Sequence, residues 1–545
     1  MPNLTGVNNV RFAKDQRDFT NYVFTNSQFY EQRKQMVYQL SSDHYIPSKE
    51  IKIQFNSSYT AGKSIAPGFK NVQYLFDPIS NVYQIGGSIG DGIHRYYRYL
   101  DDNVFDNHLR LEMPYFKKEG LSRKLIGGAA WEWNNKRNSQ YDYFINLGPY
   151  SSLHLVDNDL NSLFTPDHFS LSSYTDQYGD VHRTLDCYYG VFNSPANFTF
   201  GHSSISAAFA MTDYELNNRW RVAGGIRVEH ANIFTDVVLF DSLHYAPNDP
   251  RRAYSSSYPL ANPGKLNEYN VLPSVNVIYK LKNSDQAPVN LRFNFSQTVA
   301  RPSIRELSDI AQLDYEYRLF VFGNSDLKTV HIDNYDFRCE YYSESGDNIS
   351  ASLFYKNFKN HIEIVKSVGI TWQNVDHSSV AGIEIEGKKK LIKGLELRAN
   401  ISLIHSQTEF VRKRLDLSEG VKTYFPLDTV KRTMFGQAPY VFNAILTYTP
   451  EKYGLTFTAS YNVQGARLVI ASDVKEIPDV YELPRNLIDL KASKTIGKHF
   501  TVSATVKDIL NAKIRRSYKY SDGSLLDYDQ FRFGTIFQVS LAYKL

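Results

Sequence analysis

The sequence predicts an all-β protein, a transmembrane antiparallel β-barrel with long loops at one end and short turns at the other. Three observations lead there. Apolar and polar side chains alternate with period two through many segments. Short and long connections between those segments follow one another in turn. The last residues, TIFQVSLAYKL from Thr535 to Leu545, alternate up to the final residue.

Alternation identifies the strands. In GLELRANISL, Leu395, Leu397, Ala399, Ile401 and Leu403 share one face, and Glu396, Arg398, Asn400 and Ser402 the other. NISASLFYK sets Ile349, Ala351, Leu353 and Tyr355 against Ser350, Ser352 and Lys356. GIEIEGK and TVSATVKDI repeat the pattern, with Glu384, Glu386 and Lys507 on the polar side. At the C-terminus Phe533, Phe537, Val539, Leu541, Tyr543 and Leu545 are expected to face lipid. Arg532, Gln538, Ser540 and Lys544 are expected to face the lumen, with Ile536 and Thr535 breaking the pattern. This terminal strand is expected to start near Phe531.

Tight polar connections recur as SSDHYIPSKE, YFKKEGLSR, ELNNRW, KLKNSDQAPV, SESGDN, LIKG, TPEKYG and TIGKH. Between them lie long segments, among them 63–105, 142–202, 234–267, 299–329, 412–437 and 467–484. Loops longer than about 12–15 residues are uncommon in compact domains. Their regular placement gives a molecule one plain end and one elaborated end, as in barrels with short periplasmic turns and long extracellular loops. The count is about seventeen strands, several longer than the 9–11 residues that cross a bilayer.

Composition agrees. The 545 residues include 40 Tyr and 34 Phe, and aromatics reach 14%. Mean hydropathy is −0.41, as expected where only every second residue meets lipid, and no run of 18 apolar residues offers a membrane helix. With 61 basic and 57 acidic residues and no basic tract, nothing points to nucleic acid. The two cysteines, Cys187 and Cys339, leave a disulfide and two free thiols equally open. The start, MPNLTGVNNVRFAKDQRDF, has no apolar segment of a signal peptide.

Several stretches resemble TonB-dependent outer-membrane receptors. They are RYYRYLDDNVFDNHLRL (Arg95–Leu111), FSQTVARPSIREL (Phe295–Leu307) followed by FGNSDLKTVHIDNYDFRCEYY, GQAPYVFNAILTYTP (Gly436–Pro450), YNVQGARL (Tyr461–Leu468) and VKDILNAK (Val506–Lys513). Their order matches the family from about residue 30 to the end. The similarity is greatest to the large subgroup that usually carries a carboxypeptidase-regulatory-like domain ahead of the plug. The resemblance implies a 22-stranded barrel with a plugged lumen and energy-coupled uptake of a bulky nutrient. The expected partners are outer-membrane lipid, the nutrient ligand and the TonB energy-transducing complex acting through the plug. Some members also use a surface lipoprotein. Placed on that pattern, residues 1–30 are expected to be an extracellular loop remnant and 31–545 a partial barrel. Plug and signal peptide are absent, so a truncated or partial chain is expected.

The resemblance implies no chemistry on the substrate, so no catalytic residue, cofactor or metal is assigned. DYEYRLFVFG supplies the loop candidates for ligand contact, Asp314, Tyr315, Glu316, Tyr317 and Arg318, and QYDYFINLGPY (Gln140–Tyr150) is of similar character. Glu384, Glu386, Arg398, Lys507 and Arg532 are candidates for the lumen and the plug. In RPSIREL, Arg301 and Arg305 read as structural, because Pro302 stops a strand and Ser303 with Glu306 matches a capping box. GGSIGDG (Gly86–Gly92) lacks the rest of a phosphate loop and reads as an outer loop. A passive porin is the alternative. A β-propeller would need repeats of about 40–45 residues, which are absent.

Overall fold

A computed structural model describes residues 3–544, except 15–21, 78–81, 86–91, 119–120, 148–159, 167–170, 186, 192–196, 238–262, 285–286, 309–310, 314–319, 367–369, 417–422 and 451–452. Seventeen strands form one continuous antiparallel wall among the described residues. They are β1 (Tyr22–Ile46), β2 (Ile51–Asp77), β3 (Ile93–Lys118), β4 (Leu121–Leu147), β5 (Phe198–Glu215), β6 (Trp220–Val237), β7 (Gly264–Lys282), β8 (Val289–Ala300), β9 (Val330–Tyr342), β10 (Asn348–Lys366), β11 (Ile370–Ile392), β12 (Leu395–Asp416), β13 (Tyr440–Tyr448), β14 (Leu455–Gln464), β15 (Arg485–Ile496), β16 (Phe500–Lys507) and β17 (Ile536–Tyr543). Each pairs with the next, from β1 to β17. Among the described residues no helix is long and apolar enough to cross a membrane.

The expected tight connections sit at one end of this wall, between β1 and β2, β3 and β4, and so on to β15 and β16. The other end is elaborated, but much of it is strand rather than loop. The hairpin of β10 and β11 stays paired from Asn348–Lys388 out to Lys366–Ile370. Backbone groups far from the turn gain partners by lengthening the ladder, which leaves fewer of them to be satisfied by irregular structure.

Parity sorts the side chains. Ile349, Leu353 and Tyr355 of β10, Ile383 and Ile385 of β11 and Leu403 of β12 are exposed on the outer face. They form the apolar band of a transmembrane barrel. The opposite face carries a polar row. Glu340, Ser350, Glu386, Asn400, Asn443 and Asn462 stand side by side on six consecutive strands. Arg292 and Arg338 both donate to Glu340, at 2.8 and 2.9 Å, and Arg338 also pairs with Glu386. Ser350 donates to Glu386 at 2.9 Å, and Asn443 to Asn400 at 2.8 Å. Three neighbouring pairs bond across the ladder, Ser350 to Glu386, Asn443 to Asn400 and Asn462 to Asn443, and the arginines serve Glu340, which lets polar groups sit beside a low-dielectric wall.

Two stretches differ from the sequence expectation. Strand β17 starts at Ile536 rather than near Phe531. Gly534, with φ +86°, interrupts the chain after a separate strand, Leu525–Phe531. That strand pairs with Ile514–Lys519, so it belongs to the outer extension of the wall. At the other terminus, Asn3–Lys14 is a strand along the outer part of β1, from Asn3–Arg33 to Lys14–Tyr22. Residues 3–14 and 22–30 are therefore paired backbone, since a segment can be stabilised by adding to an exposed strand edge. The Asn3–Lys14 strand meets Leu525–Phe531 through the single pair Phe12–Gln530. Residues 34–46 of β1 and the whole of β17 keep one unpaired edge among the described residues.

Leu353 is 52% exposed in the middle of the outer band. Leu353→Arg should destabilise the barrel by about 2–4 kcal/mol, the range for a cation at the bilayer midplane. Equilibrium folding into lipid vesicles measures this. A loss below 0.5 kcal/mol (roughly the scatter of surface substitutions) would place Leu353 away from lipid.

Candidate functional site at the elaborated end

The interior of the elaborated end is built from two joined clusters. The first contains the RPSIREL segment. Ser303 caps a one-turn helix, Ile304–Leu307. Its hydroxyl accepts from the Glu306 N–H at 3.2 Å, and the Glu306 carboxylate accepts from the Ser303 N–H at 2.7 Å. The expected capping box is therefore formed. Leu307 is fully buried and packs with Ala231, Ile233, Leu266 and Leu327. Arg301 donates to Glu229 at 2.8 Å, and the Arg305 guanidinium lies 5.5 Å from the centre of the Trp372 ring. Both arginines thus serve the packing of this end.

The stretch GNSDL, Gly323–Leu327, closes the same cluster. Asn324 N–H donates to Glu306 O at 2.7 Å, and its side-chain amide donates to Trp372 O at 2.9 Å. Gly323 lies so close to the helix end that a Cβ there would stand 1.4 Å from Ser308 O. Only glycine fits that approach, which gives the Gly-Asn pair its physical reason.

The second cluster is charged. Arg432 donates to Glu363 and, at 3.2 Å, to Asp479. Gln373 donates to Glu363 at 3.0 Å, and the Ser472 N–H donates to Asp479 at 2.7 Å. Glu363 is fully buried, and the Arg432 guanidinium sits 4.2 Å from the Phe410 ring centre. Val321, Ile370, Ile470, Val480 and Tyr518 form an apolar cluster on the same segments, and Trp372 packs against both this cluster and that of Leu307. The segment Ala471–Lys475 crosses here, with Ala471 bonded to Ile364 and Lys366 at 3.0 and 2.9 Å and Lys475 to Lys413 at 2.9 Å. Lys413 adds an ion pair to Asp473 at 2.6 Å. One arginine thereby ties the β10–β11 hairpin to two loops.

A single residue aims these side chains inward. Asn360 has φ +58° in the middle of β10. Below it the even residues Ser350 and Ser352 are buried; above it the odd residues His361, Glu363 and Val365 are. The left-handed residue inverts the facing while the register with β11 continues unchanged on either side. Asn tolerates this conformation better than other non-glycine residues.

These groups lie beyond the apolar band, Glu363 eight residues past Tyr355, or about 26 Å along the strand at ~3.3 Å per residue. Burial, opposed by Arg432, holds the carboxyls of Glu363 and Asp479 above the usual carboxylate range. Burial, reinforced by Arg432, pushes the His361 imidazole down to about 4.

The other candidate residues are placed as follows. Asp314, Tyr315, Glu316, Tyr317 and Arg318 lie outside the described residues. The strands before and after them, Ala311–Leu313 and Phe320–Phe322, pair with each other, and Val321 pairs with Ile370. GGSIGDG likewise falls outside the described residues but for Gly92. Glu384, Glu386 and Arg398 stand on the polar face of β11 and β12. Glu384 accepts from Ser402 at 3.2 Å, and Arg398 pairs with Glu396 at 2.7 Å. Lys507 ends β16 opposite Ile536. Arg532 is exposed in the break before β17, so strand parity does not orient it. Cys339 is a free thiol, and the Cys187 side chain lies outside the described residues. No cluster of metal-ligating side chains occurs among the described residues. Sequence reasoning missed Arg432, Glu363 and Asp479, which are far apart in the chain and share no motif.

Glu363→Ala leaves the Arg432 guanidinium buried beside a vacancy and should cost about 3–5 kcal/mol locally. Asn360→Val should cost about 1–3 kcal/mol through the same hairpin. Faster amide hydrogen exchange in the outer parts of β10 and β11, with the lower wall unchanged, checks both. The depressed His361 pKa means that the unfolded state binds its proton first as pH falls. Its contribution is full above pH 6.5 and is lost toward about 4, on the order of 3 kcal/mol. Glu363 acts oppositely, since its raised pKa favours the native state at low pH. Subtracting the His361→Gln profile from the wild-type one isolates the histidine. Equal exchange in the two proteins from pH 7 to 4.5 would refute the assignment.

The TonB-dependent receptor-like β-barrel family model matches residues 2–509. No curated protein matches the sequence. Among solved structures, FpvAI in its complex with pyocin S2 is similar at 11% identity and TM-score 0.50, over 99% of this chain and 73% of that one. The siderophore receptor PiuA of Acinetobacter baumannii gives 10% and 0.49, over 100% and 81%. The ferric-catecholate import receptor Fiu of E. coli K12 gives 10% and 0.48, over 100% and 77%. At 11% identity the likeness to FpvAI is one of fold. With a family match across most of the wall and the antiparallel, outward-apolar sheet described above, the chain belongs to the TonB-dependent receptor-like β-barrels.

Proposed function

We propose that this chain is the barrel portion of an outer-membrane transporter that takes up a bulky, scarce nutrient using energy delivered through TonB. The observation that carries the reading is the two-faced wall. It has an outer apolar band, a lumenal polar row from Arg292 to Asn462, and an elaborated end tied together by Arg432. Such a lumen suits a hydrated, polar plug surface, and Glu384, Glu386, Arg398, Lys507 and Arg532 are the residues proposed to meet it. Asp314–Arg318 are proposed to contact the ligand, because the segment mixes aromatic, acidic and basic groups and is followed in sequence by the buried Val321.

The unpaired edge along residues 34–46 of β1 and along β17 supports a further point. In hydrocarbon such edges are costly. The working receptor is proposed to contain additional strands and a plug that complete the wall.

Uptake by cells carrying the native gene product should stop when the proton gradient is collapsed or TonB is deleted. A passive pore would continue to equilibrate its solute under both treatments. Gradient-independent uptake would therefore overturn the proposal, as would a native product that lacks plug peptides yet concentrates the nutrient.

A further inference from the structure

The lumenal face of the wall divides into two sectors. From β8 to β12 it is charged. Arg292 and Arg338 serve Glu340, and Arg338 also pairs with Glu386. Nearer the tight turns, Glu396 pairs with Lys388 at 3.2 Å and with Arg398 at 2.7 Å. From β13 to β17 the lower part of the same face turns to hydroxyls and amides. One row runs across the ladder as Thr456, Ser493, Ser503 and Ser540. The row above it leaves the charged sector at Glu396 and continues as Thr447, Thr458, Lys491, Thr505 and Gln538. Beyond Glu396, Lys491 is the single charge in these two rows.

Parity fixes the facing. Phe457, Leu490, Val502, Val539 and Leu541 alternate with these residues and are exposed on the outer apolar band. The hydroxyl rows therefore line the lumen at the level of the bilayer, well below the packed clusters of the elaborated end.

The two sectors differ in how firmly they hold a surface laid against them. Glu386 and Arg398 are 50% and 61% exposed to the lumen, so part of their bonding capacity is open to a partner. Hydrogen bonds to ionised groups are roughly twice as strong as neutral ones. A hydroxyl, by contrast, donates and accepts and rotates to suit. Ser503 and Ser540 already satisfy each other at 2.6 Å, and water can replace any further bond they make. Short side chains also leave more room beside the wall than Arg, Lys and Glu do. An interface that spans both sectors parts first over the hydroxyls.

We propose that cargo passes the plug along β14–β17, in a crevice that opens over the two hydroxyl rows while β8–β12 keep hold of the plug. The proposal rests on the transporter reading above and adds to it the side of the lumen on which passage occurs.

The test uses the native full-length receptor in whole cells, with Cys187→Ser and Cys339→Ser removing its own thiols. Ser493→Cys and Ser503→Cys report on the hydroxyl sector. Asn400→Cys and Ser402→Cys, opposite Glu386 and Glu384, report on the charged one. The probe is a membrane-impermeant sulfonated maleimide added outside the cells, and rates are normalised to those in the denatured receptor. In energised cells the hydroxyl-sector thiols should react at least tenfold faster than the charged-sector ones. Heat-modifiable gel migration confirms that each variant is folded, and Thr458→Cys and Thr505→Cys repeat the measurement one row up. Equal rates in the two sectors, or faster reaction in the charged one, overturn the proposal. Collapse of the proton gradient should erase the difference. A difference that survives the collapse leaves the crevice standing and overturns energy coupling instead.

Discussion

Everything in this structure follows from the cost of an unpaired peptide group in hydrocarbon. An exposed N–H or C=O in the bilayer core costs several kcal/mol, so each wall strand must find two neighbours. Sixteen successive antiparallel pairings, β1 with β2 through to β16 with β17, meet that demand for β2 to β16, while residues 34–46 of β1 and all of β17 keep one unpaired edge among the described residues. Once the ladder is fixed, side-chain direction is fixed with it. Leu353 must point to one medium and Ser352 to the other, and the polar row from Glu340 to Asn462 lines up because the strands are in register. The lumenal hydrogen bonds are in that sense a product of the backbone, and they add geometric order to a face that would otherwise be a set of separate charges.

Above the bilayer the constraint relaxes, and the protein uses the freedom. Asn360 inverts the facing of β10 at one residue, and the inverted segment brings His361 and Glu363 to the inside. There the packing resembles that of a soluble core, with an apolar cluster of Val321, Ile370, Val480 and Tyr518 and a buried ion pair on neighbouring parts of the same segments. A buried ion pair gains little net stability, because desolvation offsets attraction. Its value here is positional. Only one arrangement of β10, the loop after β12 and the segment Ser472–Asp479 lets Arg432 reach both carboxylates, so the pair selects one loop arrangement over others of similar apolar burial.

Much of the wall was legible in the sequence, because period two and turn chemistry are local. The parity of Phe537, Val539, Leu541 and Tyr543 against Gln538 and Ser540 holds, with Ile536 on the polar side opposite Lys507. The capping box at Ser303 and Glu306 was readable for the same reason. What was not legible is long-range or conformational. Nothing in FKNHIEIV announces that Asn360 takes a positive φ, and a period-two reading carried through it assigns His361 and Glu363 to the wrong side. Arg432, Glu363 and Asp479 come from three separate connections, and only the fold brings them together. The long segments looked like loops because their polar composition is that of solvent-exposed strand, as in Asp101, Asn103 and Asn107 of β3. The early start assigned to the last strand had a similar source, since Phe531 and Phe533 continue its alternation while Gly534 breaks its backbone.

The way the two ends of the sheet meet has a mechanical meaning. A cylinder of hydrogen-bonded strands resists widening as a hoop does, through tension carried around its whole circumference. Here the circumference is completed at the outer rim by one pair, Phe12–Gln530. Below that level β1 and β17 each keep an unpaired edge among the described residues. Hoop tension there is carried only once the additional strands proposed above fill the gap between Ile46 and Tyr543, so the lower wall takes its stiffness from those strands, while the upper rim is already fastened.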